Sequence, residues 1–466
     1  MKDQEQGGRH RGLDCVLPSA RTAAARRGAA AIAGAILAVT FVAPGRAEIV
    51  KLDADTAMVR IVQVSHAAAA ASERESATRE TVSAADAATL PSLSAGASLA
   101  RLSSVPEFRL PFAVPGQQPL VLVPDITTAY ATNMRLQQTL YSGGAISGLR
   151  QATRDDTEAS ARLREQTVAD LRVTARLAYW EAVRAAASVD AAHAQERRAA
   201  RLLDDTQSLF AVGMAVNADV LAAKERVASA RVGVIAAETA AANALAQLHS
   251  LLQIDPSDTV ELADSLTGPL PNLPGTAEEL QHEALATRSE LAVSSAQLAA
   301  LHAREELAKA PSRPAVGAVA EYDVSRPNQR YFPETDRWQD SWSVGVAASW
   351  TLYDGGKSRA DTAASRFAQR AAVQDREELT RRIQLEVEND RRNLESALAT
   401  VASADAAHDA ATEREVAARE RHAAGLAAMA EILDAEAQLA AADQQQIDAR
   451  SASWMAAATL ARAIGR

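Results

Sequence analysis

The first candidate for a site that could do chemistry is a glycine-rich run, Gly355-Gly-Lys-Ser358, which resembles the end of a phosphate-binding loop. A complete loop would have its first glycine at position 351, which is Thr351. Gly143-Gly144 with Gly148 is an equally weak match to a dinucleotide signature, and no His-Glu-x-x-His zinc motif occurs. The sequence therefore predicts no catalytic, cofactor-binding or metal-binding residues, and we expect that the chain is not an enzyme.

Charge and composition exclude a further class. The formal net charge is −10 at pH 7, and no basic patch interleaved with aromatic residues is visible, so we expect no nucleic-acid partner. Aromatic residues make up only 4 % of the chain and charged residues 23 %, while alanine is abundant. This usage indicates long helices rather than compact mixed domains.

Residues 1–47 have the pattern of an export signal. Basic residues precede an apolar run at 29–43, and small residues follow it. A single N-terminal anchor helix is the alternative, but the run is short for a membrane span. The single cysteine, Cys15, precedes the run and cannot be the lipidated residue of a lipoprotein signal. Cleavage after Ala47 would leave a mature protein without cysteine, which suits an oxidising compartment.

A period-two pattern runs directly into the glycine-rich run. From Trp342 to Leu352 every even position is apolar and every odd position is small or polar, which predicts a strand with one apolar and one polar face. A long helical pattern then begins at once. Leu140-Tyr-Ser-Gly-Gly144 makes the same junction earlier in the chain. The residues that we assign to the two strand-to-helix hinges are Gly143, Gly144, Gly355 and Gly356.

The two halves of the chain repeat. Gly143 and Gly355 lie 212 positions apart, and the same offset separates Gly213 from Gly425. Prolines cluster elsewhere and are absent from 125–255 and 334–466. Both spans are free to hold uninterrupted helices, because an interior proline costs about 3 kcal/mol. Each half is therefore predicted as helix, strand, loop, strand, long helix, turn and helix.

This plan gives explicit boundaries. Residues 144–211 would form a helix about 102 Å long at 1.5 Å per residue, and two half-length helices stacked end to end would match it. The predicted segments are the signal peptide 1–47; a first repeat at 48–252 with strands about 92–102 and 129–141 and helices about 144–211 and 215–252; a linker at 253–276; and a second repeat at 277–466 with strands about 315–324 and 342–353 and helices about 356–423 and 427–464. Each strand pair is preceded by one further helix.

The strands have the length and the aromatic residues of membrane strands. Each is about ten residues long, which crosses a bilayer at a tilt. Eleven of the seventeen aromatic residues lie within 90–142 or 313–354. A soluble hairpin packed on a core is the alternative. Four strands cannot close a barrel, and open edges in lipid leave backbone groups unpaired, so several protomers are needed. The expected aromatic girdle consists of Tyr130, Tyr141, Trp342, Trp350 and Tyr353.

With these features the chain resembles the TolC-type outer-membrane factors, the outer membrane efflux protein family. The resemblance covers nearly everything from about residue 50 to the C-terminus. It implies an α+β membrane protein with an internal tandem repeat: a homotrimer in which four strands per protomer make a 12-stranded transmembrane β-barrel, continuous with a long periplasmic α-helical barrel. The linker 253–276 would lie in its equatorial belt. The motifs that carry the resemblance are Leu140–Gly144, Trp350–Gly356, Ala178-Tyr-Trp-Glu-Ala-Val183 and the paired turns Phe210–Leu221 and His422–Asp434.

The resemblance also implies a function. The protein would be a passive exit duct of a tripartite efflux or type I secretion system, in the outer membrane of a Gram-negative bacterium and extending into the periplasm. Its partners would be a periplasmic adaptor (membrane-fusion) protein, an inner-membrane pump of the RND or ABC type, and outer-membrane lipid. A periplasmic coiled-coil scaffold or adaptor without a channel is the alternative. The adaptor-docking tips would be Val212, Gly213, Met214, Ala424, Gly425 and Leu426.

The resemblance places acidic rings at the periplasmic entrance. Members of the family carry carboxylates six and nine residues after the second tip glycine, which here are Glu431 and Asp434. Three protomers would give two rings of negative charge that favour cations. Asp219 matches the first spacing in the first repeat, and His422 stands where a tyrosine partner of Asp219 is expected. We therefore hypothesise that a His422–Asp219 bond latches the entrance and makes closure sensitive to pH where histidine titrates.

Overall fold

The computed structural model describes residues 49–110 and 120–466, so the predicted signal peptide at 1–47 lies outside the described residues. A short 3₁₀ turn at 310–312 lies between the helix that ends at Lys309 and the strand that begins at Ala315. In chain order the other elements are β1 Ile49–Leu52, α1 Ala54–Val64, α2 His66–Ala87, β2 Ser92–Arg101, β3 Phe108–Leu110, β4 Leu120–Val123, β5 Thr128–Tyr141, α3 Ala145–Ala211, α4 Asn217–Leu252, β6 Thr259–Leu262, α5 Ala277–Thr287, α6 Ser289–Lys309, β7 Ala315–Arg326, β8 Gln339–Ser349, α7 Lys357–Ala423 and α8 Met429–Ala463.

Two uninterrupted helices, α3 and α7, organise the chain. Each has 67 residues, which corresponds to about 100 Å. Near the strands, α2, α3, α6 and α7 lie side by side in that order, and towards the other end α4, α3, α8 and α7 do so. Buried alanines such as Ala199, Ala223 and Ala230 line the contacts there. Small side chains at these positions let neighbouring helices approach closely. No helix in the described ranges is both long and apolar enough to cross a bilayer.

The helix before each strand pair differs from the prediction, because it is broken in two. Ser65 is extended (φ −68°, ψ 125°), and its hydroxyl accepts a hydrogen bond from the Ala67 N–H at 3.1 Å, which ends α1 and starts α2. In the second repeat Arg288 has nearly the same backbone angles (φ −66°, ψ 121°) between α5 and α6. Neither break involves proline or glycine, the residues that mark helix ends in a sequence.

Arg288 is the buried centre of an ion network. Its guanidinium donates to Glu290 Oε1 and to Glu386 Oε2, both at 2.7 Å, and only 7 % of the residue is exposed. Arg462 on α8 donates to the same Glu290 oxygen at 2.6 Å and to Asp170 on α3. The network therefore joins the α5–α6 break to the three helices around it, α3, α7 and α8.

Glu290 makes this network sensitive to pH. Burial opposes its charge, but Arg288 and Arg462 outweigh that effect and hold its pKa at about 2, below the ordinary 4.5. A depressed carboxyl pKa contributes stability that is present above the unfolded value and is lost as the pH falls through the folded value. We expect the free energy of unfolding to decrease between pH 4.5 and pH 2. Denaturant unfolding at stepped pH would measure this loss, and Glu290→Gln should reduce its slope. Equal slopes in wild type and variant would contradict the prediction.

The four longer strands form one antiparallel sheet in the order β2-β5-β7-β8. Register places Arg135 opposite Glu321 and Met134 opposite Tyr322, so polar and apolar residues segregate to different faces, as the alternation predicted. Trp342 and Val344 on the apolar face are 68 % and 72 % exposed. Among the described residues, β2 and β8 each have one edge without a strand partner.

The last strand ends earlier than predicted. β8 stops at Ser349, which pairs with Ala315, the first residue of β7. Pro314 precedes that pair and has no N–H with which to continue the ladder. Trp350 instead donates its indole N–H to the Ser312 carbonyl at 3.0 Å. Residues 350–353, predicted as strand, therefore connect β8 to α7.

The linker contains a strand of its own. Within 253–276, β6 pairs in parallel with β1 at the start of the described chain. The Tyr179 hydroxyl on α3 donates to the Leu52 carbonyl and accepts from the Asp264 N–H, both at 3.1 Å. Burial raises the pKa of Tyr179. Trp180, the next residue, stacks on Trp454 of α8 with 4.6 Å between ring centroids. These contacts fix the small sheet to the middle of the long helices.

Candidate functional site at the helical tips

The two tip turns have the same backbone geometry. After α3, Gly213 adopts φ +78° and donates to the Phe210 carbonyl at 3.0 Å, while the Met214 N–H donates to the Leu209 carbonyl at 2.8 Å. After α7, Gly425 adopts φ +74°, and Leu426 donates to the Arg421 carbonyl at 2.7 Å. Both are Schellman ends, in which glycine is favoured because side chains disfavour positive φ. Apart from the chain neighbours of each glycine, no atom of the described residues lies within 4 Å of an added Cβ, so the backbone angle alone requires glycine.

The tips expose large apolar side chains. Four of them are 61–71 % exposed, and they cluster on the two adjacent turns. Apolar patches that no element of the chain covers mark interaction sites. The residues are Val212, Met214, Val216 and Leu426.

The predicted acidic residues are not free. Glu431 Oε1 accepts from Arg421 of α7 at 2.5 Å. Asp434 Oδ2 accepts from Arg414 of α7 at 2.8 Å and from Gln438 at 3.0 Å. No motif in the sequence marks either arginine as a partner of these carboxylates. Folding α8 back along α7 about the Gly425 turn would have placed them opposite the two carboxylates.

The hypothesised His422–Asp219 bond is not formed within the protomer. Asp219 Oδ2 accepts from the Val216 N–H at 3.2 Å, which caps the start of α4. His422 Nδ1 lies 2.8 Å from the Ala427 carbonyl, across its own turn. Each side chain forms a hydrogen bond with a backbone group of its own turn, and such local bonds compete effectively with bonds to distant residues.

A buried ion pair joins α4 to α8 close to the tips. Arg226 Nε on α4 lies 3.5 Å from Glu436 Oε2 on α8, and the side chains are 14 % and 3 % exposed. Arg226 Nη2 and Glu436 Oε1 have no hydrogen-bond partner in the structure. Burial raises the pKa of Glu436. No sequence motif indicated this contact, because its partners lie 210 positions apart.

The glycine-rich run is a helix start. Gly143, Gly144, Gly355 and Gly356 all have positive φ between the strands and α3 or α7. Asp354 accepts from the N–H groups of Gly356 and Ser358 at 2.9 and 2.8 Å. Hydrogen bonds from Ser358 lower the pKa of Asp354. The amides that would cradle a phosphate are therefore bonded to this carboxylate.

The predicted girdle residues lie at the two ends of the sheet. Tyr130 and Trp342 are near the β7–β8 loop, where Trp338 contacts the Tyr130 ring at 5.6 Å between centroids. The others, Tyr141, Trp350 and Tyr353, lie beside the hinges. Trp342 and Trp350 are about 27 Å apart along an extended chain, comparable to the apolar band of outer-membrane barrels.

A sheet with an exposed apolar face runs into two helices of 67 residues, which is the architecture expected of an outer-membrane channel protein. The model of the family described as "Outer membrane efflux protein" matches residues 59–252 and 280–466. The chain belongs to this family, whose members lie in the outer membrane of Gram-negative bacteria and extend into the periplasm. The family consists of efflux channels rather than enzymes.

Solved structures show the same fold. CusC is 16 % identical with a TM-score of 0.74, and the match covers 88 % of this chain and 92 % of CusC. The outer-membrane channel OprN is 19 % identical with a TM-score of 0.71, and the match covers 88 % of this chain and 89 % of OprN. VceC from Vibrio cholerae is 17 % identical with a TM-score of 0.71, and the match covers 88 % of this chain and 96 % of VceC. No curated protein matches the sequence. The predicted fold class, a helical chain with a four-stranded sheet and an internal repeat, is confirmed.

Proposed function

We propose that three copies of this chain form a passive exit duct through the outer membrane. Twelve strands would close a barrel, and the long helices would continue it for about 100 Å into the periplasm. The duct would serve a tripartite efflux or type I secretion system, with an adaptor and an RND or ABC pump in the inner membrane. The predicted segments and site residues take their roles within this assembly.

The pair of open sheet edges carries the proposal. The sheet has an exposed apolar face, and β2 and β8 each end it with one row of unpaired backbone groups among the described residues. Such edges are not tolerated in lipid. Pairing β8 of one copy with β2 of the next removes every edge once the ring closes, and it leaves the polar face around Arg135 and Glu321 inside.

Membrane fractionation tests this proposal against a soluble scaffold. An outer-membrane trimer that dissociates on heating and conducts ions in planar bilayers would support the duct. A wholly soluble periplasmic monomer would exclude it and favour the scaffold without a channel.

The exposed tips support docking of an adaptor. We expect Met214→Asp combined with Leu426→Asp to abolish contact with a membrane-fusion protein, because it places charge in an apolar interface. Photo-crosslinking from position 212, with the products identified by mass spectrometry, measures the contact. Phe332→Asp is the matched control, since Phe332 is 75 % exposed on the β7–β8 loop, at the opposite end of the protomer. Undiminished crosslinking in the tip variant, with the trimer intact, would contradict adaptor docking at these residues.

A further inference from the structure

The entrance carboxylates and the arginines opposite them form two adjacent layers. Glu431 and Asp434 are three residues apart on α8, which separates them by about 4.5 Å along the axis. Arg421 faces the first and Arg414 the second, at 2.5 and 2.8 Å. Each of these two carboxylates of one protomer therefore has one positive charge beside it.

We propose that Arg414 and Arg421 set the ion selectivity of the duct by compensating the charge of its entrance. The inference rests on the proposed function, in which three copies bring these layers together. Without the arginines the two layers would hold six uncompensated carboxylates, the arrangement that makes a pore favour cations. With them, the six carboxylates of Glu431 and Asp434 and the six arginines sum to no net formal charge, and Asp219 adds one carboxylate per protomer. This compensation weakens the preference of the entrance for cations.

The two ion pairs affect the electrostatic potential at the entrance rather than the folding stability of the protein. Their side chains are 37–56 % exposed. Exposed ion pairs contribute little to folding, so removing the arginines should leave the protein folded. The field in a narrow opening still depends on the sum of the fixed charges around it. Compensation persists even when an individual pair opens transiently, because each arginine stays within a side-chain length of its carboxylate.

Further contacts hold the arginines in place. Arg414 also donates to Gln438 Oε1, and the Gln438 amide donates to Asp434, so the three side chains form a closed set. The neighbouring buried carboxylates, Glu415 and Glu436, have arginine partners of their own in Arg419 and Arg226. Neither of those arginines contacts Glu431 or Asp434 among the described residues, so neither is placed to take over the role.

Reversal potentials in planar bilayers under a KCl gradient test the proposal. We expect wild type to be weakly selective. The Arg414→Gln, Arg421→Gln double variant should raise the cation-to-anion permeability ratio at least about threefold. Hexaamminecobalt(III), added to the periplasmic side, should then reduce the conductance of the variant but not that of wild type. Adding Glu431→Gln and Asp434→Asn to the variant should reverse both effects.

Arg370→Gln is the matched control, because Arg370 lies on the same helix about 66 Å from Arg414 and contacts Phe367 rather than an acid. A conducting channel with the same permeability ratio in wild type and in the double variant would overturn this inference alone. A wild-type channel that already strongly favours cations would do the same. A trimer that conducts no ions would overturn the proposed function, and this inference with it.

Discussion

Gly143→Ala is expected to destabilise the protein by several kcal/mol, whereas Gly355→Ala should cost only about 1–2 kcal/mol. The two glycines occupy equivalent positions in the repeats, with φ of +63° and +71°. A Cβ on Gly143 would lie 2.8 Å from the Ala310 carbonyl oxygen and 2.9 Å from Arg313 Cβ. Beyond its own chain neighbours, a Cβ on Gly355 would meet no atom of the described part of the chain within 4 Å. Strain is common to both sites, but the clash is confined to the first.

The comparison needs both variants in one assay. Thermal unfolding followed by circular dichroism in detergent would give the difference, with Gly355→Ala reporting the backbone strain alone. Gly213→Ala provides a second reference, since its φ is +78° and its surroundings are also open. Equal losses at Gly143 and Gly355 would show that the packing of the first hinge against residues 310–314 contributes nothing.

Arg288→Met is expected to cost about 1–3 kcal/mol, because the largely buried Glu290 then has one cationic partner instead of two and the partly exposed Glu386 loses its partner. Glu386 loses its contact with the guanidinium, and Glu290 keeps only Arg462. Adding Glu290→Gln and Glu386→Gln should recover much of the loss, since neutral groups cost less to bury than unpaired charges.

Denaturant unfolding of the three proteins measures this effect. Arg392→Met is the matched control: the Arg392 side chain is 68 % exposed, and among the residues that the structure describes it pairs only with Glu388, one turn away on α7. Its loss should stay below about 0.5 kcal/mol. Similar losses for Arg288→Met and Arg392→Met would contradict a structural role for the network at the α5–α6 break.

Features that depend on neighbours in the chain could be predicted from the sequence. The alternation from Trp342 onwards gave the correct faces of β8, because successive side chains of a strand point to opposite sides. The glycine pairs and the tip glycines marked the hinges and turns, since left-handed backbone favours glycine. The proline-free spans allowed helices that the structure forms as single elements of 67 residues.

Features that depend on residues far apart in the chain could not be predicted from the sequence. Ser65 and Arg288 break helices without any helix-breaking residue, and Arg288 does so in contact with Glu386 of α7. The end of β8 depends on where its partner strand begins, at Ala315. The family resemblance pairs His422 with Asp219, yet both side chains bind backbone groups within their own turns.

The sequence by itself determined the succession of strands, hinges, long helices and tip turns, because backbone preference and side-chain alternation are local. Only the tertiary structure decided which charges compensate one another. Glu431 and Asp434 look alike in the sequence whether they are bare or paired, and the antiparallel packing of α8 on α7 brings Arg421 and Arg414 to them. Coulomb interactions depend on distance in space rather than on separation along the chain.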